Sequence, residues 1–349
     1  MDFKSPDPKF SEEFFKLANT ARSIVITSHT SPDDDSIGAV LSVFWMLKEK
    51  YAAKKIEAVY TGERDSKYAK FAGYDKTQFV PELADCLQGV DLLILLDGGN
   101  FGRFSKKPEE MKKFSGKTIC IDHHSSPPDE FDLFMLCPQL SSSCQIIYEA
   151  FYINANTSKP VGEALLLGLL GDTGNFSYLR PSDSGALDMA KSLIKTLGIQ
   201  IQEFKARCNT IPLKVVKLIG ELIKNTTIEK VDGWDNFSWT YVENGDYSDN
   251  EISDASHLYV DTYVRTITGV PWGFAITPRS DNTINVSFRS LPGSVNVRYI
   301  VEQMKVGGGH DRAAGGTFKP TGPEKVKPLD CYKQIRDWLI KNKIRQFIV

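Results

Sequence analysis

Short apolar runs alternate, over the first half of the chain, with segments whose apolar residues recur every three or four positions. Ile24–Thr27, Lys55–Tyr60, Asp91–Asp97 and Lys117–Asp122 read as strands, and the last two are apolar enough to be buried on both faces. Phe131–Leu136 reads as a further strand at the sheet edge. Phe10–Ala21, Ser36–Tyr51, Lys67–Phe71, Pro108–Phe114, Ser142–Tyr152 and Val161–Leu170 read as helices. Ile37, Val40, Leu41, Phe44 and Leu47 mark one buried helix face, and Asp35 or Ser36 is placed to cap that helix. Strands alternating with helices predict a doubly wound, mostly parallel α/β sheet over residues 1–182. Residues 183–224 look helical throughout, and 183–226 is expected to connect two domains. After it the texture changes. Thr227–Val231, Phe237–Val242, Trp272–Thr277 and Thr283–Phe288 read as strands, and Val295–Met304 and Cys331–Asn342 as helices. A second, smaller α+β domain is therefore expected at 227–349.

Length changes this picture little, since 349 residues already favour two cores. A hydrophobic share of 41%, a charged share of 25% and a formal net charge of -2 describe an ordinary globular chain. That balance gives no global basic field for long duplex nucleic acid, though a local basic groove for a short anion is compatible with it. The six cysteines are scattered without a C-x-x-C pair, and Met1–Lys16 mixes acidic, basic and aromatic residues. Reduced thiols and a cytoplasmic location are expected. No apolar run approaches the roughly 20 residues of a membrane crossing.

Where the apolar runs stop, acids and histidines begin. Ser23–Thr27 leads to His29 and then Asp33-Asp34-Asp35. Asp91–Leu96 leads to Asp97-Gly98-Gly99, and Thr118–Ile121 leads to Asp122-His123-His124. Ala164–Leu170 ends at Gly171-Asp172-Thr173-Gly174. The carboxyl edge of an open α/β sheet is where ligands bind, so these ends would converge on one site. Asp33 and Asp35, two apart, can face one pocket from an extended turn, with His29 reaching in. The alternative is a solvated acidic turn that caps a helix. Asp97 before two glycines could equally be a turn residue. Adjacent imidazoles beside an acid are rarer: one can ligate a metal while its neighbour meets substrate and the acid orients a ring. Asp172 closes an apolar helix, where the helix dipole disfavours an acid and another use is suggested. Mixed imidazole and carboxylate donors suit a divalent transition metal, Mn²⁺ first by their oxygen share.

In the second half, Gly307-Gly308-Gly309 exposes N–H groups that can cradle phosphate or simply form a flexible turn. His310 and Arg312 stand beside it, and Arg289-Ser290 ends a predicted strand. Four of the five histidines, His29, His123, His124 and His310, fall in these stretches.

In this order, His29-x-x-x-Asp33-x-Asp35, Asp97, Asp122-His123-His124, Asp172 and GGGH resemble the DHH phosphoesterases that carry a C-terminal DHHA1 domain. The resemblance spans nearly the whole chain and is nearest the compact nanoRNase and pAp-phosphatase group. It implies two Mn²⁺ ions per chain, with Mg²⁺ or Co²⁺ as substitutes, in a cleft between the domains. His29, Asp33 and Asp97 would bind one ion. Asp35, Asp97, His123 and Asp172 would bind the other, with Asp97 bridging. Asp122 would support from behind, and His124 would face the scissile phosphate. Arg289, Ser290, Gly307, Gly308, Gly309 and His310 would hold the rest of the substrate, with Arg103 and Arg312 as further basic contacts. Ser142-Ser143 resembles a small-residue helix start near such a site.

The activity implied is hydrolysis of short oligoribonucleotides and linear dinucleotides to mononucleotides. A pAp 3′-phosphatase and a cyclic-dinucleotide phosphodiesterase are the alternatives, followed by a pyrophosphatase or polyphosphatase and a non-catalytic nucleotide sensor. Short RNA or nucleotide phosphates would be the partners, with no membrane, and homodimerisation is left open. Two departures from the usual pattern stand out. Asp34-Asp35-Ser36 occupies the place of Gly-Asp-Ala, and Asp34 adds a charge that would tighten metal binding or repel an anion. Arg312 follows His310 where a smaller or apolar residue is frequent, and would add a phosphate contact.

Overall fold

In the computed structural model, which describes residues 8–125, 127–153, 155–208, 210–243, 245–319 and 327–342, the chain forms two compact units, Met1–Thr210 and Ile211–Val349. In the first unit the apolar runs became six strands: β1 (Ser23–Ser28), β2 (Lys55–Thr61), β3 (Gln78–Val80), β4 (Leu92–Leu96), β5 (Lys117–Asp122) and β6 (Leu133–Leu136). They pair in parallel in the order β3-β2-β1-β4-β5-β6. Alternate side chains feed two cores. Ile24, Ile26, Ile94 and Ile119 pack under α1 (Pro8–Thr20), α2 (Asp34–Lys50), α5 (Ser143–Phe151), α6 (Lys159–Asp172), α7 (Gly185–Leu197) and α8 (Ile201–Cys208). Val25, Leu93 and Leu95 face the short helices α3 (Phe101–Phe104) and α4 (Pro108–Met111). Between β1 and β4 the strand order reverses, which opens a crevice at their carboxyl ends.

The stretch expected to connect the domains is shared out: α7 and α8 pack on the first core, while α9 (Leu213–Lys224) packs in the second unit. Gly198, at φ 61°, closes α7 with a left-handed cap, and Pro212 precedes α9, so the helical run is three helices rather than one. The second unit's sheet comprises β7 (Thr227–Glu229), β8 (Phe237–Tyr241), β9 (Trp272–Pro278), β10 (Ile284–Ser290), β11 (Gly307–His310) and β12 (Ala313–Phe318), in the order β11-β12-β10-β9-β8-β7. Only the β8–β9 pairing is parallel. One face packs on α11 (Val297–Gln303) and α12 (Pro328–Lys341); the other meets α9 and α10 (Asp249–Tyr259), which runs on into a π-helical turn, Val260–Val264. The GGGH stretch is thus an edge strand laddered to β12 rather than a loop.

Glycines let α2 and α6 approach until their backbones nearly touch. A methyl group at Gly38 would sit 2.4 Å from the Ala164 carbonyl oxygen; one at Gly168 would sit 2.3 Å from Cys144 Sγ and 2.5 Å from Asp35 Oδ1. This seam brings the last residue of α6, Asp172, to the first turn of α2. Gly168→Ala is expected to destabilise the protein by about 1–3 kcal/mol, read from urea unfolding. An unchanged midpoint would show that the seam can yield.

Candidate metal centre

Each side chain of the centre is delivered by the end of a buried element. β1 ends at Ser28, and His29 follows; its Nδ1 lies 2.9 Å from the Thr30 carbonyl, so a proton there leaves Nε2 as the ligating atom. Asp33, not Asp35 or Ser36, is the N-cap of α2, accepting the Ser36 N–H at 3.0 Å. Asp35 stands inside the first turn of that helix, fully buried. The extended turn expected across Asp33–Asp35 is therefore a helix start, which aims the two carboxylates at different neighbours.

Asp97 follows β4 and holds a left-handed backbone at φ 62°, uncommon for a residue other than glycine. Its N–H bonds the Ile121 carbonyl at 2.9 Å, so strand pairing with β5 anchors the kink. Its carboxylate is buried and contacted from four sides. Oδ2 lies 3.3 Å from His29 Nε2 and accepts the Ser36 hydroxyl at 2.7 Å. Oδ1 lies 3.5 Å from His123 Nε2, 3.6 Å from His124 Nδ1 and 3.3 Å from Ser143 Oγ. His123 Nε2 reaches Asp172 Oδ2 at 3.1 Å. Asp122 Oδ1 holds His124 Nδ1 at 2.7 Å, while Asp122 Oδ2 is buried without a hydrogen-bond partner. Gly99 is required beside it, since a Cβ there would sit 2.9 Å from that oxygen.

Among the described residues, three sets of donor atoms come within 4.8 Å of one another: His29, Asp33 and Asp97; Asp35, His123 and Asp172; Asp97, His123 and His124. Asp97 belongs to two of them. Five carboxylates, Asp33, Asp35, Asp97, Asp122 and Asp172, face three imidazoles, so the acids outnumber the rings. Burial works to lower the His29 pKa, yet Asp33 and Asp97 outweigh it and raise it to about 10. Burial, then the charges of Asp172 and Asp97, push Asp35 well up. Burial lifts Asp172 to about 6 against its hydrogen bond to His123, with Asp33 and Asp97 adding to the rise. Protons gathered this tightly mark a place built for a stronger cation, and oxygen with imidazole donors fits a divalent metal.

Residues 23–170 match the family model for the DHH family, N-terminal domain, and residues 240–338 match that for the DHHA1 domain. The chain belongs to the DHH/DHHA1 family of phosphoester hydrolases. It is 25% identical over 324 residues to the bifunctional oligoribonuclease and PAP phosphatase NrnA of Thermus thermophilus, covering 91% of this chain and 92% of that one. It is 26% identical over 320 residues to NrnA of Bacillus subtilis, covering 88% and 92%. The crystal structure of an exopolyphosphatase-related protein from Bacteroides fragilis superposes with a TM-score of 0.78 at 21% identity, covering 96% of this chain and 97% of that one. At that identity the likeness is one of fold.

Within this DHH/DHHA1 chain the extra acid, Asp34, stays apart from the donor sets. Its Oδ1 accepts the Tyr68 hydroxyl at 2.7 Å and pairs with Lys67 Nζ at 3.1 Å. It is the first residue of α2, so no left-handed turn is needed there; the positive φ falls earlier, at Ser31. Arg103 lies in α3, half-buried, and its carbonyl accepts the Thr30 N–H at 2.8 Å, tying the loops after β1 and β4 together.

In the second unit Arg289 and His310 belong to one row across β10, β12 and β11, each paired with Ala313. Ser290 is buried, and strand alternation turns its hydroxyl away from Arg289 to the opposite face. Arg312 lies in the turn between β11 and β12 and donates to the Leu291 carbonyl.

Two groups escaped the sequence reading in any defined role. The start of α5 holds Asp35 at both oxygens, through Ser143 N at 2.7 Å and Cys144 N at 3.0 Å, while the Ser143 hydroxyl also reaches Asp97. Ser36 gives Asp97 its shortest hydrogen bond, 2.7 Å to Oδ2. Ser143→Ala is expected to weaken Mn²⁺ binding by about tenfold, measured by titration calorimetry; unaltered affinity would assign the hydroxyl no part in the centre. Chelation should lower the melting temperature, and Mn²⁺ at a hundred times its Kd should return about 2.7 kcal/mol.

Proposed function

We propose that this protein hydrolyses short oligoribonucleotides and linear dinucleotides to mononucleotides with two Mn²⁺ ions, and that it removes the 3′-phosphate of pAp at the same centre. The observation that carries the reading is the buried carboxylate Asp97, which completes one donor set with His29 and Asp33 and lies 3.5 Å from His123 of the other, in a chain with DHH and DHHA1 domains. The relatives' names join the two activities. His29, Asp33 and Asp97 would hold one ion, and Asp35, His123 and Asp172 the other, with Asp97 shared. Two such ions would supply a nucleophilic water near neutral pH and neutralise charge on the phosphoryl oxygens.

The chain's own groups do the rest. Asp97, pinned by Ser36 and Ser143, keeps its two oxygens apart and oriented toward the two sets. Asp122 Oδ1, 2.7 Å from His124 Nδ1, orients the ring so that its far edge would face a phosphate oxygen. Arg289 and His310, on one row of the second sheet, would bind the remaining phosphate, with the glycines of β11 leaving room for it. Their local charge and the formal net charge of -2 suit a short substrate rather than a long duplex. Six free thiols suit the reducing cytoplasm.

Purified protein with Mn²⁺ should be offered pApA, a short RNA, pAp, cyclic di-AMP and pyrophosphate in parallel. Fastest turnover of pApA and the RNA, with pAp cleaved more slowly, is expected. Fastest release from pyrophosphate would replace this reading, and silence on all five would favour a nucleotide sensor. Asp97→Ala should lower turnover on the order of a thousandfold; near-normal activity would exclude a shared carboxylate.

A further inference from the structure

The row that carries Arg289 has a floor of small residues. Arg289 on β10 faces Ala313 on β12, which faces His310 on β11. Residues paired across antiparallel strands share a face, so the guanidinium and the imidazole rise on one side of the sheet with only a methyl group between them. In the next row Ser287, Gly315 and Gly308 are paired, and two of these have no side chain. A flat, open strip of sheet thus lies beside a cation.

Arg289 does not enter this strip loosely. Its Nε donates to Asp261 Oδ1 at 2.6 Å, and its Nη1 donates to the carbonyl of Phe288 at 3.0 Å. Its side chain is only 15% exposed. A guanidinium has five N–H donors in a rigid plane, so two are spent on holding the plane and the outer Nη edge keeps the others. Asp261 comes from the π-helical turn that ends α10, a rare backbone form that is frequent at functional sites. The same Asp261 oxygen lies 3.9 Å from Arg265 Nη1. Arg265 Nη2 in turn donates to the Arg312 carbonyl at 3.1 Å. One carboxylate therefore keeps two guanidiniums close together.

We propose that Asp261 is a positioning residue for substrate binding: it fixes the guanidinium of Arg289 so that its outer edge meets a nucleotide phosphate lying over Ala313 and Gly315. A free arginine would lose side-chain entropy on gripping an anion; this one has already lost it. The bond to Asp261 uses the inner Nε, so the acid orients the cation without occupying the edge that binds. The inference rests on the reading of Arg289 as a phosphate-holding residue.

The test is steady-state hydrolysis of pApA in Mn²⁺ by Asp261→Asn, Asp261→Glu, Arg289→Ala and the double variant Asp261→Asn/Arg289→Ala. Asp261 is 40% exposed, and Asn matches it in size, so the fold should tolerate the change. Asp261→Asn should raise KM about tenfold with kcat within about twofold. Asp261→Glu, which restores the charge, should recover most of that rise. Arg289→Ala should raise KM at least as much, and the double variant should be no worse than Arg289→Ala alone, since Asp261 acts through the arginine. If Arg289→Ala raises KM but Asp261→Asn leaves it unchanged or lowers it, the positioning role is overturned and Asp261 is a bystander or a competitor. If Arg289→Ala leaves KM unchanged, the reading of Arg289 fails and the inference falls with it.

Discussion

Like charges forced together in a buried space are the constraint around which the first unit is arranged. Asp35, Asp97 and Asp122 are almost wholly buried, and Asp33 and Asp172 close the same space. In a medium of low polarity such a cluster repels itself strongly. It persists because every carboxylate is held by rigid surroundings. The N–H groups opening α5 grip Asp35, and strand pairing fixes the kink at Asp97. The glycine seam between α2 and α6 brings Asp172 up to the start of α2. Folding thus assembles a site whose electrostatic strain a divalent cation relieves.

The sheet supplies the place for this assembly, and much of it could be read directly from the chain. β1, β4 and β5 are buried on both faces, so their residues had to be apolar, and the first polar residue after each marks where the strand leaves the core. That is why His29, Asp97 and Asp122-His123 stand out. The same physics makes Asp172 visible as an acid at the wrong end of a helix.

What stayed hidden depended on register between distant elements. Ser36 and Ser143 lie 61 and 46 positions from Asp97, and no local pattern states which hydroxyl will meet which carboxylate. The cap of α2 was misplaced because three consecutive acids are chemically equivalent caps; only packing against α5 and α6 decides that Asp35 turns inward. β11 and β12 were missed because glycine and alanine carry almost no strand propensity, and pairing with β10 imposes the extended form. α10 had one usable local signal, the capping box of Ser248 and Glu251. Its apolar face is narrow, and it packs mainly on α9, with β9 beneath.

A formal net charge near zero conceals two opposite local solutions. The first unit gathers five carboxylates around three imidazoles, a set of donors that fits a cation; the second holds two guanidiniums, Arg289 and Arg265, at one carboxylate, Asp261. In the first, the acids outnumber the rings. Asp34 illustrates the rule by exception. It is an additional acid beside the metal-binding set, yet Lys67 and Tyr68 engage it fully, so it contributes a joint between α2 and the turn at 66–68 rather than charge to the centre. Surplus charge that a fold leaves uncancelled, on residues too firmly held to move, is what remains available for binding.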